Sequence, residues 1–181
     1  MEKINSLTGM TDLIETKADE NVLANKVFQT EKILKEIFTN YAMSEIRTPV
    51  LENTNLFKRS VGDTSDIVNK ELYTFSDKND KSISLRPEGT ASVMRSIIEK
   101  KLDRETHKFW YLGPMWRYER PQKGRYRQFN QAGIEILGYS EGAPEFEMIS
   151  IVTSIVNKFK LKNYVIKINH LGNKKTKDSY C

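Results

Sequence analysis

One cysteine, two histidines and two tryptophans in 181 residues leave this chain short of the side chains that build staples and metal centres. A single cysteine, Cys181, excludes an intrachain disulfide. With only His107 and His170 beside it, no Cys/His cluster for zinc can be assembled, and no protein-bound metal is expected. No apolar run is long enough to cross a bilayer, and the amino-terminal MEKINSLTGMTD has no apolar signal core. Internal repeats and low-complexity tracts are also absent. With 38% hydrophobic and 29% charged residues, the composition is that of one soluble globular domain with a real core, and the expected location is cytoplasmic, with no membrane partner.

What the chain does have is unevenly placed. Arg117, Arg120, Lys123, Arg125 and Arg127 face one anion, Glu119, within eleven residues, so a net +4 sits there out of +5 for the whole chain. Pro121 and Gly124 punctuate this run as a loop, while Lys108 to Tyr118 before it and Phe129 to Leu137 after it are rich in strand formers. The pattern predicts a long hairpin with a basic tip, suited to a polyanion. If the strands extend that far, Arg117 and Glu119 share a face, and on the return strand so do Arg127, Phe129, Gln131, Gly133 and Glu135. Gly133 then leaves room for a ligand against the backbone. A buried Glu135 requires a cationic or hydrogen-bond-donating partner.

The rest of the chain supplies a frame. From Asp19 to Tyr41, Val22, Leu23, Val27, Leu34, Ile37, Phe38 and Tyr41 recur mainly at helical steps, with Asp19 as cap and Glu20 in the first turn. Met43 to Leu51 is extended chain that Pro49 confines to an edge or strand end. Asn53 to Gly62 is read as a short helix and Asp63 to Lys70 as a polar loop. Glu71–Phe75 and Ser82–Leu85 are read as a hairpin. After Arg86-Pro87 a helix is expected over Glu88 to Lys101, burying Val93, Met94, Ile97 and Ile98. Another is expected over Glu145 to Phe159, burying Phe146, Ile149, Val152, Ile155, Val156 and Phe159, and then a strand over Tyr164 to Ile168.

Arg117-Tyr118-Glu119, a loop and a return strand resemble motif 2 of the class II aminoacyl-tRNA synthetases. The fuller string ERPQKGRYRQF with Gln131-x-Gly133-x-Glu135 is similar to the histidyl-tRNA synthetases, as are Arg86-Pro87-Glu88-Gly89-Thr90 and the strings LFKRSVG and ELYTF. The long helix and proline-containing strand, about residues 30–52, look like motif 1; motif 2 covers about 109–138. One departure is Thr8, which stands where the family's Arg-Gly-x-x-Asp string has its arginine, ahead of Gly9 and Asp12. The resemblance implies an α+β fold, an antiparallel sheet flanked by helices. Residues 1–181 would be the N-terminal portion of the catalytic domain; motif 3 and the anticodon-binding domain are absent from the sequence given.

The function implied is histidine–tRNA ligase: activation of L-histidine by ATP, accompanied by Mg2+, and transfer to tRNA(His) by a homodimer. Arg117 would grip the ATP α-phosphate and the histidine carboxylate, and Glu119 and Arg125 would contact the nucleotide. Glu88, Thr90 and Gln131 would hold the α-ammonium beside Gly89, and Glu135 would face the imidazole. Arg120, Gln122 and Lys123 would meet the tRNA. The 181 residues by themselves are expected to be inactive. Two other readings are a synthetase-like regulatory subunit of ATP phosphoribosyltransferase, which an intact Arg117, Glu119, Gln131 and Glu135 disfavour, and a plain nucleic-acid-binding module, which leaves Glu88 and Glu135 unexplained.

Overall fold

A computed structural model of the chain describes residues 3–15, 22–62, 65–120, 122–140 and 142–169. In chain order these form helix α1 (Val22–Asn40), strands β1 (Ser44–Glu45) and β2 (Leu51–Asn53), helix α2 (Thr54–Val61), a π-helical turn (Ile67–Glu71), strands β3 (Thr74–Ser76) and β4 (Ser82–Leu85), helix α3 (Thr90–Glu99), strands β5 (His107–Trp116) and β6 (Gln128–Leu137), and helix α4 (Ala143–Lys158). The predicted cap Asp19 and first-turn Glu20, together with Asp63, Pro121 and Cys181, lie outside the described residues.

Strands β5 and β6 are the expected antiparallel hairpin, paired from His107↔Leu137 to Trp116↔Gln128. The ladder stops short of the predicted Tyr118. Arg117 still donates its amide to the Arg127 carbonyl at 3.0 Å, but the Glu119 amide turns back to the Arg117 carbonyl at 2.8 Å. That i-to-i−2 bond is a γ-like turn, so Arg117 and Glu119 do not share a strand face as the sequence suggested. On its other side β5 pairs with β1, in parallel, through Ser44↔Phe109 and Glu45↔Trp110. The α+β class stands, while this sheet, in the order β1-β5-β6, is mixed rather than wholly antiparallel. A second sheet, β2-β4-β3, is antiparallel throughout. Hydroxyls of Thr54, Ser82, Ser84 and Thr74 interlock across its middle at 2.8–2.9 Å.

Arg86 joins the two sheets. Its amide bonds to the Val50 carbonyl and its carbonyl accepts from the Trp116 amide, both at 3.0 Å. Its Nε donates to the Pro114 carbonyl and its Nη1 to the carbonyl and hydroxyl of Thr48. Beyond the reach of β1, Arg86 thus occupies the place of a neighbouring strand along β5. Pro114 is tolerated in β5 because the amide it lacks would fall on that irregular side.

Alternation along the hairpin separates two cores. Even-numbered Trp110, Leu112, Ile134 and Ile136 pack with Leu34, Ile37 and Phe38 of α1 and with Ile151 and Ile155 of α4. Odd-numbered Phe109, Tyr111, Met115, Phe129 and Leu137 pack with Val93 and Ile97 of α3. The stripe expected for α4 is displaced: Phe146 and Val152 are exposed, whereas Ile151, not anticipated, is buried. The inward face also carries polar residues, since Glu147 accepts from Lys108 of β5 at 2.8 Å and Ser154 bonds the Tyr41 hydroxyl at 2.9 Å. Counting apolar residues alone misplaced the face. Ile98, expected to be buried, is likewise exposed. The predicted loop before Lys70 contains the π-helical turn, and the third strand begins at Thr74 rather than Glu71. Residues 164–168 are exposed and form no strand, because an alternating pattern needs a neighbour to take its backbone hydrogen bonds.

Candidate functional site

The odd-numbered face of the hairpin and the N-terminus of α3 meet at one place. Glu88 precedes the helix rather than opening it. Its Oε2 accepts from the Thr90 amide at 2.6 Å and its Oε1 from the Ala91 amide at 2.9 Å. Both oxygens therefore stabilise orphan amides and the positive end of the helix dipole. A carboxylate has about four acceptor directions, so the same group retains capacity for a ligand.

Thr90 opens α3 near Tyr111 of β5 and Glu135 of β6, and its side chain favours the ionised form of each. Burial, reinforced by the Glu88 charge, pushes the Glu135 carboxyl above the usual carboxylate range, against the lowering effect of the Thr90 side chain. Burial likewise raises the Tyr111 phenol. Gln131, two same-face positions from Glu135 along β6, has a buried Oε1 without a hydrogen-bond partner among the described residues. Such an atom is costly unless a ligand or water donates to it.

Tyr111 had no place in the sequence reading, and it overturns the role given to Gly133. The ring lies over the Gly133 backbone, and a Cβ there would collide with its Cζ and Oη; at Gly89 a Cβ would collide with Cε2 and Cζ. Both glycines are needed to admit the tyrosine ring. Counting back by twos from Arg117 through Met115 and Gly113 would have reached Tyr111, so a signal existed.

Arg117 marks the other end of the site. Its Nε donates to the Pro87 carbonyl at 3.0 Å and its guanidinium carbon lies 5.3 Å from the Phe129 ring centroid. These contacts bring Arg117 beside the segment that carries Glu88 to Thr90. Glu119 pairs with Arg125 at 3.3 Å, and its carbonyl accepts from Arg127, whose guanidinium carbon lies 4.1 Å from the Tyr118 ring centroid. Gln122 and Arg125 bridge across a tight turn at Lys123 and Gly124, and Arg120, Gln122, Lys123 and Arg125 are all exposed. Two further anchors were not legible. The Glu71 carbonyl of the π-helical turn accepts from the Tyr118 amide at 2.7 Å, and the Gly9 carbonyl accepts from the Arg127 and Gln128 amides. The Thr8-Gly9 segment therefore sits against the base of the basic tip.

A long helix, a seam strand and an antiparallel hairpin with an arginine at its mouth make the fold that of a class II aminoacyl-tRNA synthetase catalytic domain, in part. The chain matches the family model described as Histidyl-tRNA synthetase over residues 20–174. It belongs to the histidyl-tRNA synthetase family. It is 45% identical over 168 residues to the chloroplastic histidine–tRNA ligase of Gracilaria tenuistipitata var. liui, covering 91% of this chain and 40% of the relative. It is 51% identical over 166 residues to the histidine–tRNA ligase of Mycoplasma mycoides, covering 90% and 39%. Among solved structures, apo histidyl-tRNA synthetase of Staphylococcus aureus superposes with a TM-score of 0.70 at 39% identity, over 88% of this chain and 36% of that one. A Bacillus halodurans protein titled ATP phosphoribosyltransferase regulatory subunit/histidyl-tRNA synthetase gives 0.68 at 21% identity, over 87% and 39%, and shares the fold. The chain thus spans about two-fifths of the length of the curated relatives it matches.

Proposed function

We propose that these residues are the histidine- and α-phosphate-holding part of a histidine–tRNA ligase catalytic domain, with motif 1 at about 30–52 and motif 2 at about 109–138. The observation that carries this reading is that Glu88 and Thr90 at the start of α3 face Gln131 and Glu135 on the hairpin beside Arg117, with the Gln131 Oε1 buried and unpaired among the described residues. Acceptors of that kind suit an α-ammonium and a ring N–H. Arg117 offers a planar fork to the phosphate and carboxylate that react. The step is in-line attack of the histidine carboxylate oxygen on the ATP α-phosphorus, with pyrophosphate leaving. It needs no enzyme nucleophile, so the chain's contribution is orientation and charge stabilisation.

Glu119 and Arg125 would contact the nucleotide, and their mutual ion pair at 3.3 Å keeps both near Arg117 until a ligand competes. The exposed Arg120, Gln122 and Lys123 would meet the phosphates of tRNA(His). Magnesium would arrive with ATP. A homodimer and a cytoplasmic location complete the proposal; among the described residues no helix is long and apolar enough to cross a membrane. The regulatory-subunit reading rests on shared fold alone, while the intact Arg117, Glu119, Gln131 and Glu135 favour the ligase.

The test is histidine-dependent pyrophosphate exchange by the complete enzyme. Arg117→Ala is expected to lower the rate about 10²–10³-fold, the usual cost of removing one preorganised donor from a developing negative charge. A rate within a few-fold of the parent would remove Arg117 from the mechanism. The 181 residues assayed alone are expected to show no exchange.

A further inference from the structure

The basic tip is held at its base by a segment more than a hundred residues away in sequence. Leu7 to Met10 form a tight turn, closed by the Met10 amide on the Leu7 carbonyl at 3.0 Å. The turn presents the Gly9 carbonyl to the start of β6, where it accepts from two successive amides, Arg127 at 2.8 Å and Gln128 at 3.1 Å. The Arg127 carbonyl in turn accepts from the Arg117 amide at 3.0 Å, so both backbone groups of Arg127 are engaged. Its side chain carries the grip across to the other limb of the tip. There Nε donates to the Glu119 carbonyl at 3.2 Å and the guanidinium carbon lies 4.1 Å from the Tyr118 ring centroid. Only glycine fits the clasping position. Its φ is +79°, and a Cβ there would stand 3.0–3.2 Å from the Cγ, N and Cβ of Arg127. Any side chain would strain the turn and push Arg127 away together.

We propose that Gly9 is a positioning residue for the basic tip: its carbonyl clasps Arg127, and through Arg127 it sets the place of the tip groups that meet nucleotide and tRNA. This deepens the histidine-ligase reading and rests on it. Gly9 acts through Arg127 and is not itself given a contact with a ligand. The histidine-holding groups have other supports. Glu88 is fixed by the amides of Thr90 and Ala91, and Gln131 and Glu135 lie within the paired length of β5 and β6. The clasp therefore serves one half of the site. A tip released from it must be ordered each time a ligand binds, which lowers affinity for nucleotide and tRNA and spares that for histidine.

The experiment compares the complete enzyme with its Gly9→Ala and Thr8→Ala variants. Calorimetry gives the Kd of L-histidine, pyrophosphate exchange the KM of ATP, aminoacylation the KM of tRNA(His), and thermal melting reports folding separately. Gly9→Ala is expected to raise the KM of ATP and of tRNA about tenfold each, the scale of an ordering cost restored to binding. Its kcat at saturation and its histidine Kd should stay within about twofold of the parent. Thr8→Ala removes an exposed side chain and leaves the Gly9 carbonyl in place, so it should match the parent. Unchanged KM values in a folded Gly9→Ala enzyme, a histidine loss in step with the ATP loss, or an equal effect of Thr8→Ala would overturn the clasp while leaving the ligase reading intact. A parent enzyme that neither activates histidine nor charges tRNA would overturn both. Should Gly9→Ala fail to fold, the enzyme lacking residues 1–10 takes its place, with the clasp removed rather than strained. The same division between ligands is expected of it, and equal losses for all three would refute the proposal.

Discussion

Glu135 is held in its acidic form more firmly by the fold than by water, because burial and the neighbouring Glu88 charge both disfavour its carboxylate. The sign of the linkage follows. A carboxyl with a raised folded pKa binds its proton more tightly when folded, so stability falls as pH rises from the ordinary carboxylate range through the raised value. Above the raised value the unliganded protein bears that cost in full. Glu135→Gln should therefore melt at a higher temperature than the parent near pH 7, and the advantage should shrink to nothing by about pH 4, near the unfolded value. Thermal melts of both proteins without ligand at several pH values check this. Parallel curves, or a variant less stable at pH 7, would show that Glu135 is already compensated in the unliganded fold. A stabilising change that abolishes histidine binding is the trade between stability and activity expected of a binding site.

The elements differ in how far they could be read ahead. α1, α2 and the β5–β6 hairpin follow from periodicity and capping, with Asn53 Oδ1 accepting from the Asn55 amide at the start of α2 as its side chain allows. That Gln131 and Glu135 share a face was legible from strand parity, whereas Glu88 and Thr90 were singled out through the resemblance alone. What escaped was anything decided between elements distant in sequence. The π-helical turn is fixed by Tyr118 across the chain, the inward face of α4 by Lys108 and Tyr41, and the ring over Gly133 by a strand partner. Arg95 is a further case. From α3 its Nη2 lies 2.7 Å from the buried Glu52 of β2 and its Nη1 2.6 Å from Glu99. Arg95→Met removes the ion-pair partner of Glu52, leaving it the field of Arg86, and should destabilise the protein by about 2–3 kcal/mol, somewhat below the usual cost of breaking a buried pair because the arginine is partly exposed. The midpoint of chemical denaturation measures it. A loss below about 0.5 kcal/mol would place this pair with ordinary surface bridges.

Across the whole molecule, two three-stranded sheets carry different halves of the site: Arg117, Gln131 and Glu135 leave the hairpin, while Glu88 and Thr90 follow the end of β4. Between them runs Arg86-Pro87, whose two backbone bonds and buried guanidinium, its pKa lowered by burial, tie Val50, Thr48, Pro114 and Trp116 together. Such a joint opens as a unit or not at all. Displacing Arg86 breaks its own amide bond and that of Trp116 at once, and draws the Pro87 carbonyl away from Arg117. The amides of Arg86 and Trp116 should therefore trade hydrogen for deuterium at a common rate, set by one opening event. By reciprocity, a ligand that grips Arg117 in its closed position must slow both. Nucleotide bound at the mouth of the hairpin would then be felt as protection of two amides it never touches, and exchange at those sites that ignores ATP would mean the two sheets breathe independently.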